Sequence, residues 1–388
     1  MILIMRNNAL ITSKILTWAR ERLDLSLEEA AEYLKKKPEV LKSWEEGNKY
    51  PTINQAKAIA KKLKIPYVYF FLPDPPQNIK LPKNQDYRTL SNQPLKKYSV
   101  ELKTLLFDIM QRREVMLDLY RQMEREPQIF NHFFDIKSTD NKSIAKAIRE
   151  LLQLPERFKQ KDRDLFNFFR NILENMGVLV FQAAGVSPVE MRGLSVLEEI
   201  FPIIVVNRKD PISARIFTLA HEFTHLVTRT AGICDNAGMS ELSSFDIELK
   251  CNHIAAQILV PEELLKTNND YKQLVAEWDD VLVRQIANAF SVSREVIIGR
   301  LLTFKNISLD FYRRKMRQYA EEYNQTKQNK KDGLLLPDID KETQLGKAYI
   351  STVLTAYNQE IITARDAIQY FDGLRLEHFE KLERWCSA

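Results

Sequence analysis

The segment Arg215 to Val227, RIFTLAHEFTHLV, constrains this chain more than any other. Ile216, Ala220, Phe223 and Val227 fall on one face of a helix and can anchor it to a core. His221 and His225 lie four positions apart, so both imidazoles project from the same side, one above the other. Two neutral imidazoles at that spacing can hold one borderline-soft divalent ion, and zinc is the usual choice. Glu222 sits between them, turned by about 100° round the axis. From there it can reach a metal-bound water without becoming a ligand. A metal would lower that water's pKa toward roughly 7, and the glutamate would accept its proton and later deliver one to a leaving amine.

A five-residue H-E-x-x-H match also arises by chance. Three features weigh against chance here: the apolar anchoring face, a buried strand ending a short turn before the helix, and a suitable third ligand downstream. That ligand is sought in Asp246 to Pro261, DIELKCNHIAAQILVP. Glu248 opens a predicted helix whose Cys251, Ala255 and Ile258 pack inward, and its carboxylate completes a site of two His and one Glu with the fourth position open. Asp246 and Glu241 are weaker candidates because they sit nearer the preceding loop. Cys251 would serve only if Glu248 does not, and its place in an apolar stripe favours packing. His253 points about 140° away from Glu248 on an ideal helix and reads as a surface or supporting residue.

The surroundings suit such a site. Val178 to Phe181 and Pro202 to Val206 are β-branched runs that fit buried strands, and Gly193 to Leu197 fits an edge strand. The turn Asn207-Arg208-Lys209-Asp210 leads to the helix near Ser213. Helices are predicted over 100–123, 142–154 and 163–176 before the strands. After them come 244–258, 261–268, 280–290, 293–303, 308–327, 341–356 and 360–384, with a polar break at Gln325 to Gly333. Near the C-terminus Tyr349, Leu354, Ile361, Phe371, Leu374 and Phe379 recur at helical spacing and read as core or a partner face.

The N-terminal seventy residues read as short helices. Ser26 with Glu29 and Thr52 with Gln55 are capping boxes, Pro38 suits a first helical position, and Gly47 suits a helix end. PDPPQNIKLPKNQDYR then marks a linker. With 388 residues, 45% hydrophobic and 28% charged, the chain can bury two or three ordinary globular cores, which excludes collagen-like and disordered classes. No run approaches the roughly 18 apolar residues a membrane span needs, and MILIMRNNALITSK is too short for a secretory segment. Cys234, Cys251 and Cys386 form no C-x-x-C pair, so a reduced, cytoplasmic setting without membrane contact is expected. The net charge of +5 permits nucleic acid without demanding it.

FTLAHEFTHL followed by E-L-K-C-N-H-I-A-A-Q-I-L-V-P resembles the ImmA/IrrE family of metallopeptidases. The likeness runs from about Gly177 to Leu302, including V-S-x-x-x-x-x-x-R-L at Val292 to Leu301, and Asp86-Tyr87-Arg88-Thr89 resembles the D-F-R-T of fused members. Thr224, Cys251 and His253-Ile254 depart from the family pattern, and none of them removes a ligand. The resemblance implies metal ligands His221, His225 and Glu248, the catalytic base Glu222, a gluzincin-like core, and hydrolysis of a protein, often a transcriptional repressor. The N-terminal unit is similar to XRE-type helix-turn-helix domains through S-L-E-E-A-A-E-Y-L, W-E-E-G-N-K-Y-P-T-I and I-P-Y-V-Y-F-F. On that likeness Lys36 to Trp44 is the recognition helix, and Lys36, Lys37 and Lys42, with Lys35, face DNA phosphates. Glu39, Glu45 and Glu46 share the helix, and it lacks the Arg, Gln or Asn that read bases, so loosely specific DNA binding is favoured over protein contact. Asp279 to Leu302 resembles a second helix-turn-helix, with packing the preferred role.

The expected fold is mainly α with a small β-sheet (α+β): a helix-turn-helix domain (1–75), a linker and helical connector (76–160), a metallopeptidase domain (161–305) and a helical C-terminal domain (306–388). The expected function is a regulatory endopeptidase with one Zn2+ per chain, Mn2+ also suiting the ligands. A protein substrate and DNA are the expected partners, and a homodimer follows from the XRE resemblance. The rivals are a DNA-binding regulator or antitoxin-like protein with a structural or vestigial metal site, and a metal sensor that alters DNA binding without proteolysis.

Overall fold

The structure, a computed structural model, describes residues 8–23, 25–76, 98–137, 139–158, 162–230, 244–327 and 336–387. They divide into two compact units, 8–76 with 98–112, and 113 onward. The linker motif Asp86-Tyr87-Arg88-Thr89, together with Cys234 and Glu241, lies outside the described residues.

The first unit is built from helices too short to persist alone. α1 (Ser13–Glu21), α2 (Leu27–Leu34), α3 (Pro38–Glu45) and α4 (Ile53–Lys62) all fall below the roughly 12–15 residues at which isolated helices become marginal. Caps and burial therefore hold them. The Ser26 hydroxyl accepts the Glu29 N–H at 3.2 Å while the Glu29 carboxylate accepts the Ser26 N–H at 2.8 Å. Thr52 and Gln55 repeat the exchange at 3.2 and 2.9 Å, and Pro38 opens α3. Leu16, Ala31, Leu41, Trp44 and Ile59 share one core with Phe70 of the 3-10 turn Tyr67–Phe71 and Phe107 of α5 (Val100–Gln122). Arg20 clasps Glu45 with two bonds of 2.8 and 3.0 Å and donates to the Leu25 carbonyl at 2.8 Å, tying α1 to α3.

In the second unit α6 (Asn141–Leu151) and α7 (Asp162–Asn175) precede a sheet of β1 (Leu179–Ala183), β2 (Gly193–Val196) and β3 (Ile203–Asn207). The order is β1-β3-β2, so the last strand in sequence is central and β2 is an edge. β1 runs parallel to β3 with Leu179 opposite Ile203, and β2 antiparallel with Gly193 opposite Val206. Every strand residue is buried, which is why the strands read as unbroken apolar runs rather than alternating ones. A four-residue turn then starts α8 (Ile212–Val227), which packs on β2, β3 and α7. α9 (Ser244–Leu259) lies against α8 and α6. These helices share one core with α12 (Asp280–Ala289), α13 (Arg294–Thr303) and α14 (Leu309–Lys327), to which Ile286, Ala287, Val292 and Leu301 contribute. The segment resembling a second helix-turn-helix is thus packed into this unit.

Three expectations are corrected. Between α10 (Glu262–Thr267) and α12 stands an unpredicted helix, α11 (Asn269–Ala276), started by the Asn268 side chain accepting the Tyr271 N–H at 3.0 Å. The helix predicted over 341–356 is two, α15 (Pro337–Leu345) and α16 (Lys347–Asn358), parted by Gly346 at φ 82°. The helix predicted over 360–384 is also broken. α17 (Ala364–Tyr370) ends at an Asp372-Gly373 turn with φ of 50° and 85°, and α18 (Phe379–Ser387) follows a 3-10 turn at Leu376–His378. The break at Gly346 has a buried cause. Arg170 on α7 binds Glu174 at 3.0 Å, the Val180 carbonyl at 2.6 Å, and the carbonyls of Glu342 and Thr343 at 3.1 and 3.0 Å. Glu174 in turn accepts the Ala348 N–H at 2.9 Å. The chain must turn sharply between those anchors, and α15 thereby packs on β1. The whole is an α+β protein with a small sheet and an all-helical N-terminal unit.

Candidate metal centre

α8 is buried around its whole circumference from Thr218 to Val227, with His221 at 0% exposure. A helix so enclosed can keep polar side chains only where they find partners. His221 and His225 find each other, their Nε2 atoms 3.0 Å apart. Glu248, one turn into α9, reaches both: Oε1 stands 3.0 Å from His225 Nε2, and Oε2 stands 3.3 Å from His221 Nε2 without hydrogen-bond geometry. Three ligand atoms, one from each residue, lie within 4.8 Å of one another.

This donor set fits a small divalent cation. Two imidazole nitrogens and a carboxylate converge on one point, and Glu248 Oε2 is buried there without a hydrogen bond. A tetrahedral zinc site with bonds near 2.0–2.1 Å separates its ligand atoms by about 3.3 Å, close to the three separations found. Without a cation the residues share charge. Burial works against a charge on His225, but Cys251 and the Glu248 carboxylate outweigh it and hold the imidazole well above its usual range. Burial likewise resists the Glu248 charge, and the imidazoles of His221 and His225 overcome it, keeping the carboxyl well below the carboxylate range.

Glu222 is not one of that trio. Its carboxylate is turned to β2, where the Ser195 hydroxyl donates to Oε2 at 2.9 Å. Gly193, two residues earlier and so on the same face of the strand, makes room for it: a Cβ there would lie 2.7 Å from Glu222 Oε1 and would collide with Thr218. His225 is held from behind, its Nδ1 2.8 Å from Thr230 Oγ1, and Phe217 stacks on His221 with ring centroids 6.3 Å apart.

Residues 173–302 match the family model of the IrrE N-terminal-like domain (Peptidase_M78). This segment is similar to that domain. Residues 16–70 match a helix-turn-helix model, and the two matches together correspond to the ImmA/IrrE plus helix-turn-helix architecture. No curated protein matches the chain.

Within the IrrE-like domain the other ligand candidates stand aside. Asp246 is exposed, His253 is exposed, and Cys251 Sγ lies 3.7 Å from His225 Nδ1, on the ring edge away from Nε2. In the helix-turn-helix, Lys37 and Lys42 are exposed and Lys36 is half-buried, with Lys42 Nζ 3.8 Å from Glu46. Ser195, Gly193, Thr228 and Thr230 escaped sequence reasoning. Only Gly193 carries a signal, since a glycine inside a buried strand often marks close approach by another group.

Proposed function

We propose that this chain is a zinc-dependent regulatory endopeptidase acting on a protein partner, a transcriptional repressor being the class its helix-turn-helix architecture favours. The reading rests on one observation: His221, His225 and Glu248 converge beside Glu222 in the segment that matches Peptidase_M78. Zinc bound there supplies Lewis acidity toward a peptide carbonyl and lowers the pKa of water. The neutral imidazoles of His221 and His225 and the carboxylate of Glu248 would hold it with one net protein charge, leaving it electrophilic; manganese suits the same set. Glu222, held by Ser195 rather than drawn into the ligand set, would take a proton from water in the site and deliver it to the leaving amine. In this reading residues 161–305 form the peptidase domain and 1–75 the DNA-binding domain, with 76–160 connecting them and 306–388 a helical C-terminal domain. Lys36, Lys37 and Lys42 would neutralise DNA phosphates, which makes that contact strongly dependent on salt.

Elemental analysis of wild type, His221→Ala and Glu248→Ala tests the ligands; about one metal per chain, lost in both variants, is expected. Glu222→Gln should keep the metal and abolish cleavage of a co-expressed partner protein. Full regulatory function in cells carrying Glu222→Gln would instead favour the second reading, a DNA-binding regulator with a structural metal site, which the helix-turn-helix match supports.

A further inference from the structure

α8 does not stop where its histidines do. Thr228 caps it, Arg229 takes the left-handed conformation at φ 53°, and two bonds fold the chain back. The Arg229 N–H donates to the Leu226 carbonyl at 3.2 Å and the Thr230 N–H to the His225 carbonyl at 3.0 Å. This Schellman closure returns Thr230 to the level of His225. There Thr230 Oγ1 stands 2.8 Å from His225 Nδ1 and 2.9 Å from Thr228 Oγ1, and the Thr228 hydroxyl donates to the Thr224 carbonyl at 2.7 Å. Thr224, His225, Thr228 and Thr230 are all buried.

We propose that Thr228 and Thr230 are positioning residues that fix His225 in the tautomer able to bind a metal, an assignment that rests on the metal-centre reading given above. The protons of this row can be placed one at a time. The Thr224 carbonyl can only accept, so the Thr228 hydroxyl gives it its single proton. Thr228 Oγ1 is then left to accept from Thr230. Thr230 can give its own proton to Thr228 Oγ1 at 2.9 Å or to the His225 carbonyl at 3.5 Å, and in either case is left to accept from His225 Nδ1–H. Nδ1 keeps its hydrogen, and Nε2 presents its lone pair toward His221 and Glu248. The opposite tautomer requires the Thr230 hydroxyl to turn onto Nδ1, so that either its 2.9 Å bond to Thr228 Oγ1 is lost or the Thr228 hydroxyl must also leave the Thr224 carbonyl, where burial leaves little water to replace the missing bond. Cys251 Sγ, 3.7 Å from Nδ1 and 3.8 Å from Thr230 Oγ1, is a weaker and more distant acceptor and does not change the order.

The test uses the full chain and zinc alone, with affinity measured by competition against a chromogenic chelator. Thr228→Val touches no ligand, yet it frees the Thr230 proton to turn onto Nδ1 and hold the ring in the wrong tautomer. Thr228→Val and Thr230→Val should each weaken zinc binding about 10-fold or more, the range typical of partners behind a metal ligand. Thr228→Ser and Thr230→Ser should keep wild-type affinity. Circular dichroism establishes that each variant folds, and a second measurement needs no variant: nitrogen-15 spectra of histidine-labelled, zinc-loaded wild type should place the His225 proton on Nδ1. A folded Thr228→Val protein that binds zinc as tightly as wild type, or an Nδ1 without a proton in the loaded chain, overturns the relay and leaves the metal centre standing. A wild-type chain that takes up no zinc overturns both.

Discussion

His225 and Glu248 stabilise each other's charge only while the cation is absent, and this gives the site a pH signature. Glu248 is held below its unfolded pKa of about 4.3 and His225 above its unfolded value of about 6.5. The carboxylate therefore adds stability above about pH 4.3 that is lost as pH falls through its lowered pKa. The imidazolium adds stability below about pH 6.5 that is lost as pH rises through its raised pKa. Zinc held by the proposed ligands would have to displace the proton on Nε2, so the two would compete. The rise in melting temperature on adding zinc should be larger at pH 8 than at pH 6, by differential scanning calorimetry on stripped protein; the reverse order would contradict the ligand assignment. Gly193 offers a second check. An added methyl would press on Glu222 and Thr218, so Gly193→Ala should lower stability by about 1–3 kcal/mol in urea titrations, as overpacked cores do. A neutral result would mean that β2 and α8 are not held as close as described. The contrast between these residues shows what sequence carries at this scale. His221, Glu222 and His225 were legible because a helix turns spacing into direction. Ser195 and Thr230 were not, because one reaches Glu222 across a strand-to-helix packing and the other reaches His225 through a helix end that no residue type announces.

At the scale of elements, periodicity located α7, α8 and α9 and the three strands, because each buries a patterned face or a continuous apolar run. It failed where a break is imposed from outside the segment. Residues 341–356 have helical spacing throughout, yet the chain turns at Gly346 because Arg170 and Glu174, far back on α7, bind the backbone on either side. A side chain at 346 would collide with both charged groups and occupy φ 82°. Gly346→Ala should therefore cost more than the roughly 1–2 kcal/mol of left-handed strain alone. Gly299→Ala, inside α13 with open space around its Cβ, should be neutral or stabilising by up to about 1 kcal/mol. Chemical denaturation of the two variants side by side decides the matter; equal effects would show that the Arg170 and Glu174 anchors do not set the break. α11 was missed for a different reason: eight residues with a single Asn cap give too little pattern to separate from a loop.

Among the described residues, the core centred on Leu16, Leu41 and Trp44 shares no residue with the core built on α8 and α9. The proposed zinc ligands all lie in the second, so the linkage energy of a bound zinc, about 2.7 kcal/mol when free metal is a hundred times its Kd, should enter there. Removing the Ser26 cap costs about 1 kcal/mol and enters the first, where a unit of this size loses about 4–8 °C per kcal/mol. Calorimetry should thus resolve two transitions, one raised by zinc and the other lowered in Ser26→Ala. The outcome separates two of the functional readings. Independent transitions mean that metal occupancy does not reach the helix-turn-helix through stability, which suits an enzyme whose DNA contact serves location rather than sensing. A single transition moved by both perturbations would couple the cores through α5, where the division between them falls. Metal-dependent operator binding without proteolysis would then become the better account.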